Sequence, residues 1–222
     1  MSKNISIFIV NFNRFLPVKM LVESLLKRNY TNVTILNNAS EYPPLVEWYK
    51  TCGVKVHNIG SNQGPYILDR LPEYYPITKN QYYVYTDEDC VPIEETPENF
   101  IDNLIELSKK YNIPKIGLGL KIDDLPDCNI HKQKVINHES SFWHRDTIKD
   151  DLCTLYKAPT DSTFALNAPG IICRLNNDID YRSGFPYMVR HIPWYYDTDN
   201  LPEDEILLRK KKLSNIGHWS SM

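Results

Sequence analysis

The sequence predicts an α/β fold: a mostly parallel central sheet flanked by helices, in a single domain over residues 1–222. Three observations predict it. Short β-branched runs alternate with amphipathic segments through the first half. Each of those runs ends in a polar turn rich in Asn or Asp. No internal repeat and no linker divides the 222 residues, a length suited to one large domain. Composition agrees, because 42% hydrophobic and 24% charged residues describe an ordinary globular chain. The net charge of −3 argues against a general nucleic-acid binder, which would be basic.

The elements follow in order. Residues 5–10 (ISIFIV) are an uninterrupted apolar run, as a strand covered on both faces requires. They end in Asn11-Phe12-Asn13-Arg14. Pro17 suits an early helical position, and Val18, Leu21, Val22, Leu25 and Leu26 share one helical face. Residues 33–36 form the next strand and end in Asn37-Asn38-Ala39-Ser40. Pro43-Pro44 opens a helix that runs to about Cys52. A third strand over 54–56 closes on the polar segment 58–64 (NIGSNQG), and a short helix follows near 66–71. Residues 82–86 (YYVYT) are a fourth strand, ending in Asp87-Glu88-Asp89. Ligands of such sheets bind beyond the carboxyl ends of the strands, so these four polar ends are expected to face one crevice.

The second half is less regular. A helix is expected over 97–111, with Pro97 first and Phe100, Leu104 and Leu107 on one face. Residues 116–122 read as a strand. From 123 to 161 the pattern dissolves into His, Asp and Lys, as in a long functional loop. Residues 163–166 and 170–174 read as short strands. A last helix over 201–212 begins with Glu203-Asp204-Glu205 and ends with Arg209-Lys210-Lys211-Lys212, both suited to the helix dipole. Residues 1–95 make the regular half of the domain, and residues 96–222 the less regular half.

Cys52, Cys90, Cys128, Cys153 and Cys173 are scattered, odd in number and without a CxxC pair. That pattern fits neither a zinc site nor a disulfide framework and points to a reducing compartment, the cytoplasm. No apolar run reaches membrane-spanning length; contact with a membrane surface stays open.

Asp87-Glu88-Asp89 is the sharpest local signal. In a strand-like exit Asp87 and Asp89 point the same way, and two neighbouring carboxylates repel unless a cation lies between them. Hard ions such as Mg²⁺ and Mn²⁺ take such ligands together with substrate phosphates. Arg70 offers a charge for a diphosphate, against the alternative of an ordinary surface Arg. Asp161 precedes an apolar stretch and is placed either to contact a donor sugar or to activate an acceptor hydroxyl, against the alternative of a turn cap. His191 stands among aromatics in Arg190-His191-Ile192-Pro193-Trp194-Tyr195-Tyr196, a segment suited to an acceptor sugar or simply to packing.

The opening ISIFIVNFNR, the second strand with its Asn37–Ser40 end, and the 58–64 segment before the acidic turn together resemble nucleotide-sugar-dependent glycosyltransferases of the GT-A fold, in particular family-2-type enzymes. The later segments DSTFAL (161–166) and HIPWY (191–195) are similar to small single-domain enzymes of bacteria and large DNA viruses. The resemblance implies a Rossmann-like GT-A sheet and a metal-dependent transfer of a sugar from a nucleotide sugar, a UDP sugar, to a hydroxyl of a glycan or lipid-linked acceptor. It implies that Asp89 holds Mn²⁺ or Mg²⁺, and that Asp87 holds the ion or the donor ribose. Asn11, Asn13, Arg14, Asn38 and Ser40 would line the nucleotide. Gly217-His218-Trp219 is similar to the late segment whose His completes metal coordination, which makes His218 a candidate ligand. The family's acidic acceptor motif is not clean here. Glu203-Asp204 is the nearest match, with Asp204 the candidate base, but it follows Pro202. Two other readings stand beside this one. A nucleotidyltransferase would share the sheet and the acidic ligands but carry a Gly-rich basic loop after the first strand. A degenerate glycan- or nucleotide-binding module would bind donor without turnover.

Overall fold

A computed structural model of the chain describes residues 2–160, 163–174 and 179–210. In chain order the elements are β1 (Ser6–Asn11), α1 (Phe15–Lys27), β2 (Val33–Asn37), α2 (Pro43–Trp48), β3 (Lys55–Asn58), α3 (Tyr75–Asn80), β4 (Tyr83–Asp87) and β5 (Cys90–Pro92). They continue as α4 (Phe100–Tyr111), β6 (Lys115–Leu120), α5 (Lys132–Ser140), β7 (Thr147–Lys149), β8 (Thr154–Lys157), β9 (Ala165–Asn167), β10 (Asp180–His191) and α6 (Glu203–Lys210). A 3₁₀ turn over Ile67–Arg70 lies between β3 and α3.

Among the described residues the strands make one ten-stranded sheet in the order β3-β2-β1-β4-β9-β6-β10-β8-β7, with β5 paired to β10. β1 runs parallel to β2 and β4, and β2 runs parallel to β3. β9 runs antiparallel between β4 and β6 and joins the two halves of the sheet. β10 is again parallel to β6. Strand directions are thus mostly shared, with β5, β8 and β9 opposed. This mixed, mostly parallel sheet flanked by helices is the fold class expected from the sequence.

The apolar strand runs follow from burial on both faces. Ile7 and Ile9 of β1 enter one core with Val18, Leu21, Val22 and Leu25 of α1. Phe8 and Val10 enter a second core with Leu36, Ile67, Leu68, Tyr74 and Tyr85. Each fully buried aliphatic side chain contributes roughly 1.5–3 kcal/mol. α1 stops where Asn29 takes the left-handed conformation at φ 63°, and the Tyr30 N–H closes the end on the Leu25 carbonyl at 3.0 Å.

Several expectations are corrected. The helix expected from Pro97 begins at Phe100, because residues 97–99 form a turn before it. Residues 123–160 are not a plain loop. They contain α5, which buries Val135 and Glu139, together with β7 and β8. Residues 170–174 are not a strand, since Gly170 turns the chain at φ 82°. The twelve-residue β10 has no counterpart in the sequence reading. Among the described residues no helix is long and apolar enough to cross a membrane.

Candidate functional site

Chain order and strand order part company between β1 and β4. From β1 the chain steps outward to β2 and β3, then returns to place β4 on the other side of β1. The crevice at such a reversal is where open α/β sheets take ligands. Two turns meet there, Asn11–Arg14 after β1 and Asp87–Asp89 after β4, and Val10 pairs with Asp87 in register.

Arg14 joins the two turns. Its Nη1 donates to Asp89 Oδ2 and lies 3.5 Å from Glu88 Oε1. Its Nε donates to Glu205 Oε2 of α6 at 3.0 Å. Asp89 and Glu205 are each 1% exposed, so these are buried charges held only by their partners. Burial acts to lower the Arg14 pKa, but Asp89, Glu205 and Glu88 outweigh it and raise the value. Burial and the Asp89 charge push the Glu88 carboxyl up to about 8, with Arg14 opposing them. Burial thus favours the neutral form of the Glu88 carboxyl. Burial also acts against the Glu205 carboxylate, yet Arg14 and Arg209 hold its pKa below the ordinary carboxylate value.

α6 makes a second contact at the same place. Asp204 Oδ2 accepts the backbone N–H groups of Phe15 (2.7 Å) and Leu16 (3.1 Å) at the start of α1. Arg14, the residue at the cap position, has no capping side-chain bond, so a carboxylate from far down the chain caps this helix. Asp204 Oδ1 accepts the Glu205 N–H at 3.0 Å, which occupies the remaining oxygen.

β10 delivers His191 to the acidic turn, because its end pairs antiparallel with β5 and sets His191 opposite Cys90. His191 Nε2 lies 3.3 Å from Asp89 Oδ2, and the ring packs on Trp194 at 4.5 Å between centroids. Burial lowers the His191 pKa, with Asp89 opposing, so the imidazole favours its neutral form. His191 Nδ1 and the Tyr196 hydroxyl are buried without a hydrogen-bond partner among the described residues. Burial, followed by the charges of Asp204 and Glu205, raises the Tyr196 pKa.

The asparagines expected to line a nucleotide tie the loops to one another. Asn13, at φ 61°, accepts the N–H groups of Glu41 (2.7 Å) and Tyr42 (3.0 Å), and its own N–H donates to Ser40 Oγ at 2.9 Å. Asn38 Nδ2 donates to Gly64 O (3.1 Å) and Asn62 Oδ1 (3.0 Å), and its Oδ1 accepts the Gln63 N–H at 2.8 Å. Asn11 Nδ2 donates to Arg14 O and to the Tyr49 hydroxyl. Asn11 Oδ1 and Asn13 Nδ2 are buried without a hydrogen-bond partner among the described residues. Arg70 is exposed and donates to Gln63 O at 3.4 Å, at this same end of the sheet.

The structure therefore brings Asn11, Asn13, Arg14, Asn38, Ser40, Asp87, Asp89, His191 and Asp204 to one end of the sheet. One pairing differs from expectation. β4 ends at Asp87, and Glu88 and Asp89 form the turn, so strand alternation does not extend to Asp89. Adjacent Glu88 and Asp89 converge on Arg14, while Asp87 stays partly exposed. Asp161 and His218 lie outside the described residues. Glu88, Glu205 and Tyr196 were not singled out by sequence reasoning. Glu205 carried a signal, since it adjoins Asp204, but its acidic run already had an explanation in the helix dipole.

Among the described residues no group of three or more His, Cys, Asp or Glu side chains is placed to hold a metal ion. A Mg²⁺-type ion needs fewer. It commonly takes one or two carboxylates and completes its shell with water and substrate phosphates. Asp89 supplies one such carboxylate, and the guanidinium on it shows that positive charge is accommodated there. The residues fit an ion held by one or two carboxylates, and not a closed cage of protein ligands among the described residues.

No protein-family model matches this chain, and no curated protein matches it. Solved structures similar to parts of it include residues 1–349 of S. aureus TarS, at 15% identity and a TM-score of 0.38. That match covers 53% of this chain and 36% of TarS 1–349. Another is the mannosyltransferase PcManGT from Pyrobaculum calidifontis, in complex with GDP-Man and Mn²⁺, at 11% identity and a TM-score of 0.40. It covers 55% of this chain and 36% of that one. This chain thus matches little more than a third of the length of each of those two structures, and a likeness this slight carries no argument about activity.

Proposed function

We propose that this chain is a glycosyltransferase that moves a sugar from a nucleotide sugar, a UDP sugar, to a hydroxyl of a glycan or lipid-linked acceptor. One observation carries the reading. The acidic Asp87-Glu88-Asp89 turn and the Asn- and Arg-bearing turn after β1 meet where the strand order reverses, the place where such sheets take nucleotides. The family resemblance of the first hundred residues supports the same assignment.

In this reading Asp87, partly exposed at the end of β4, holds the donor ribose or the ion. Asp89 holds the ion, which is Mn²⁺ or Mg²⁺. When bound, that ion supplies charge neutralisation to the departing nucleoside diphosphate. Arg70, exposed at the mouth, meets the diphosphate. Asn11 and Asn13 contribute the rigid floor, since their bonds fix the turn after β1 before any ligand arrives. Both Asp204 oxygens accept backbone N–H groups, and His191 Nδ1 is buried. In this reading Asp161 takes the acceptor proton.

Hydrolysis of a panel of UDP sugars, with Mn²⁺ and with chelator, tests the assignment. Asp87→Ala is expected to abolish turnover without loss of folding. Asp161→Asn is expected to retain UDP binding and lose transfer to acceptor. Pyrophosphate release from a nucleoside triphosphate, with no sugar-nucleotide hydrolysis, would replace this reading with a nucleotidyltransferase.

A further inference from the structure

We propose that Arg14 is a placeholder cation: its guanidinium holds Asp89 in the metal-free chain and competes with a divalent ion for that carboxylate. The inference rests on the glycosyltransferase reading only in taking Asp89 as an ion ligand.

Three observations carry it. Arg14 donates to Asp89 Oδ2, the oxygen that also lies 3.3 Å from His191 Nε2, so the guanidinium sits where an ion on that oxygen would. Arg14 also has an alternative anchor, because its Nε and Nη2 face Glu205 Oε2 and Oε1 at 3.0 and 3.4 Å. It can leave Asp89 and still keep a buried partner. Finally, Asp89 is 1% exposed and would be a costly bare charge without a cation beside it. A resident guanidinium removes that cost until an ion arrives, and Glu205 removes the matching cost for Arg14 afterwards. Glu205 thus acts as a positioning residue, 191 positions from the arginine it would receive.

The competition gives opposite signs for two variants. Removing the guanidinium removes the competitor, whereas removing the Glu205 charge leaves Arg14 with Asp89 as its main anchor and strengthens the competitor. The probe is Mn²⁺ alone, titrated into the nucleotide-free full chain and followed by the electron paramagnetic resonance signal of the free ion. Arg14→Gln is expected to bind Mn²⁺ at least about tenfold more tightly than the parent, the scale of losing a contacting charge at a partly screened site. Glu205→Gln is expected to bind it several-fold more weakly. Arg190→Gln removes a cation paired with Asp124 instead, and is expected to leave the affinity within about twofold.

Equal or weaker Mn²⁺ binding by folded Arg14→Gln overturns the proposal, as does tighter binding by Glu205→Gln. The proposal also falls if no variant binds the ion. If Arg14→Gln does not fold, Glu205→Gln decides alone. Failure of the transferase reading has a different signature: UDP-sugar binding and hydrolysis would be missing while the Mn²⁺ affinities still ordered as expected.

Discussion

Arg14 and Asp89 form a buried ion pair that ties the turn after β1 to the turn after β4, with 4% and 2% of their side chains exposed. The pair spans the reversal of strand order, so the residues that shape the crevice also close it from below. Glu205 completes the arrangement from α6. Breaking a buried pair by removing one partner costs about 3–5 kcal/mol, because the remaining charge is stranded. Arg14→Ala is expected to lose stability on that scale in urea unfolding. Arg14→Lys, which keeps the charge but loses the fork, should lose less.

Glu88 gives a pH signature. Its folded pKa of about 8 lies above the ordinary glutamate value, so the folded state holds its proton where the unfolded chain has already released it. The stability it contributes is complete below about pH 4 and is lost as pH rises towards 8. Glu88→Gln cannot release a proton and should flatten this decline. Unfolding free energies of both proteins across that range would check it, and parallel slopes would contradict the assignment.

Asp204 caps α1 from a distance, and the chemistry of the cap makes its loss graded. Asp204→Ala leaves the Phe15 and Leu16 N–H groups without their acceptor and should cost about 1–2 kcal/mol. Asp204→Asn keeps an acceptor oxygen and should recover much of that loss. Thermal unfolding of the two variants separates a cap from a purely electrostatic role.

Asn13 combines a left-handed backbone with two accepted N–H bonds. Asn13→Gly keeps the backbone and loses the bonds, whereas Asn13→Val loses both. The valine variant should be the less stable by about 1–2 kcal/mol, the cost of forcing a β-branched residue to positive φ. Denaturation midpoints at equal m-values would measure it.

The first half of the fold was legible because its central strands β1, β2 and β4 are buried along almost their whole length. Ile7 and Ile9 meet one core while Phe8 and Val10 meet another, so burial on both faces wrote a continuous run into the sequence. The second half lacked that imprint. β10 mixes Arg182, Ser183 and Gly184 with Pro186, and it changes partners from β8 to β5 along its length. No single period survives such a change. α5 was hidden in the same way, with Val135 and Glu139 as its only buried residues.

At the candidate site the sequence revealed which turns matter but not what their side chains touch. Asn38 and Asn13 read as ligand contacts because polar residues at strand ends usually are, yet each is engaged with a neighbouring loop. The Arg14–Glu205 contact joins residues 191 positions apart, and no local pattern encodes such a meeting.

That separation also bears on how the protein is made. The arginine is polymerised 191 positions before its α6 partner. At roughly 5–20 residues per second, the interval is on the order of ten to forty seconds. Once β2 and β4 have been made the nascent chain can pair them with β1, but until α6 follows it lacks both the cap of its first helix and the second anion for its buried guanidinium. Maturation of the crevice therefore waits for α6, and a ribosome stalled before Asp204 would display a sheet whose ligand end is still unfinished.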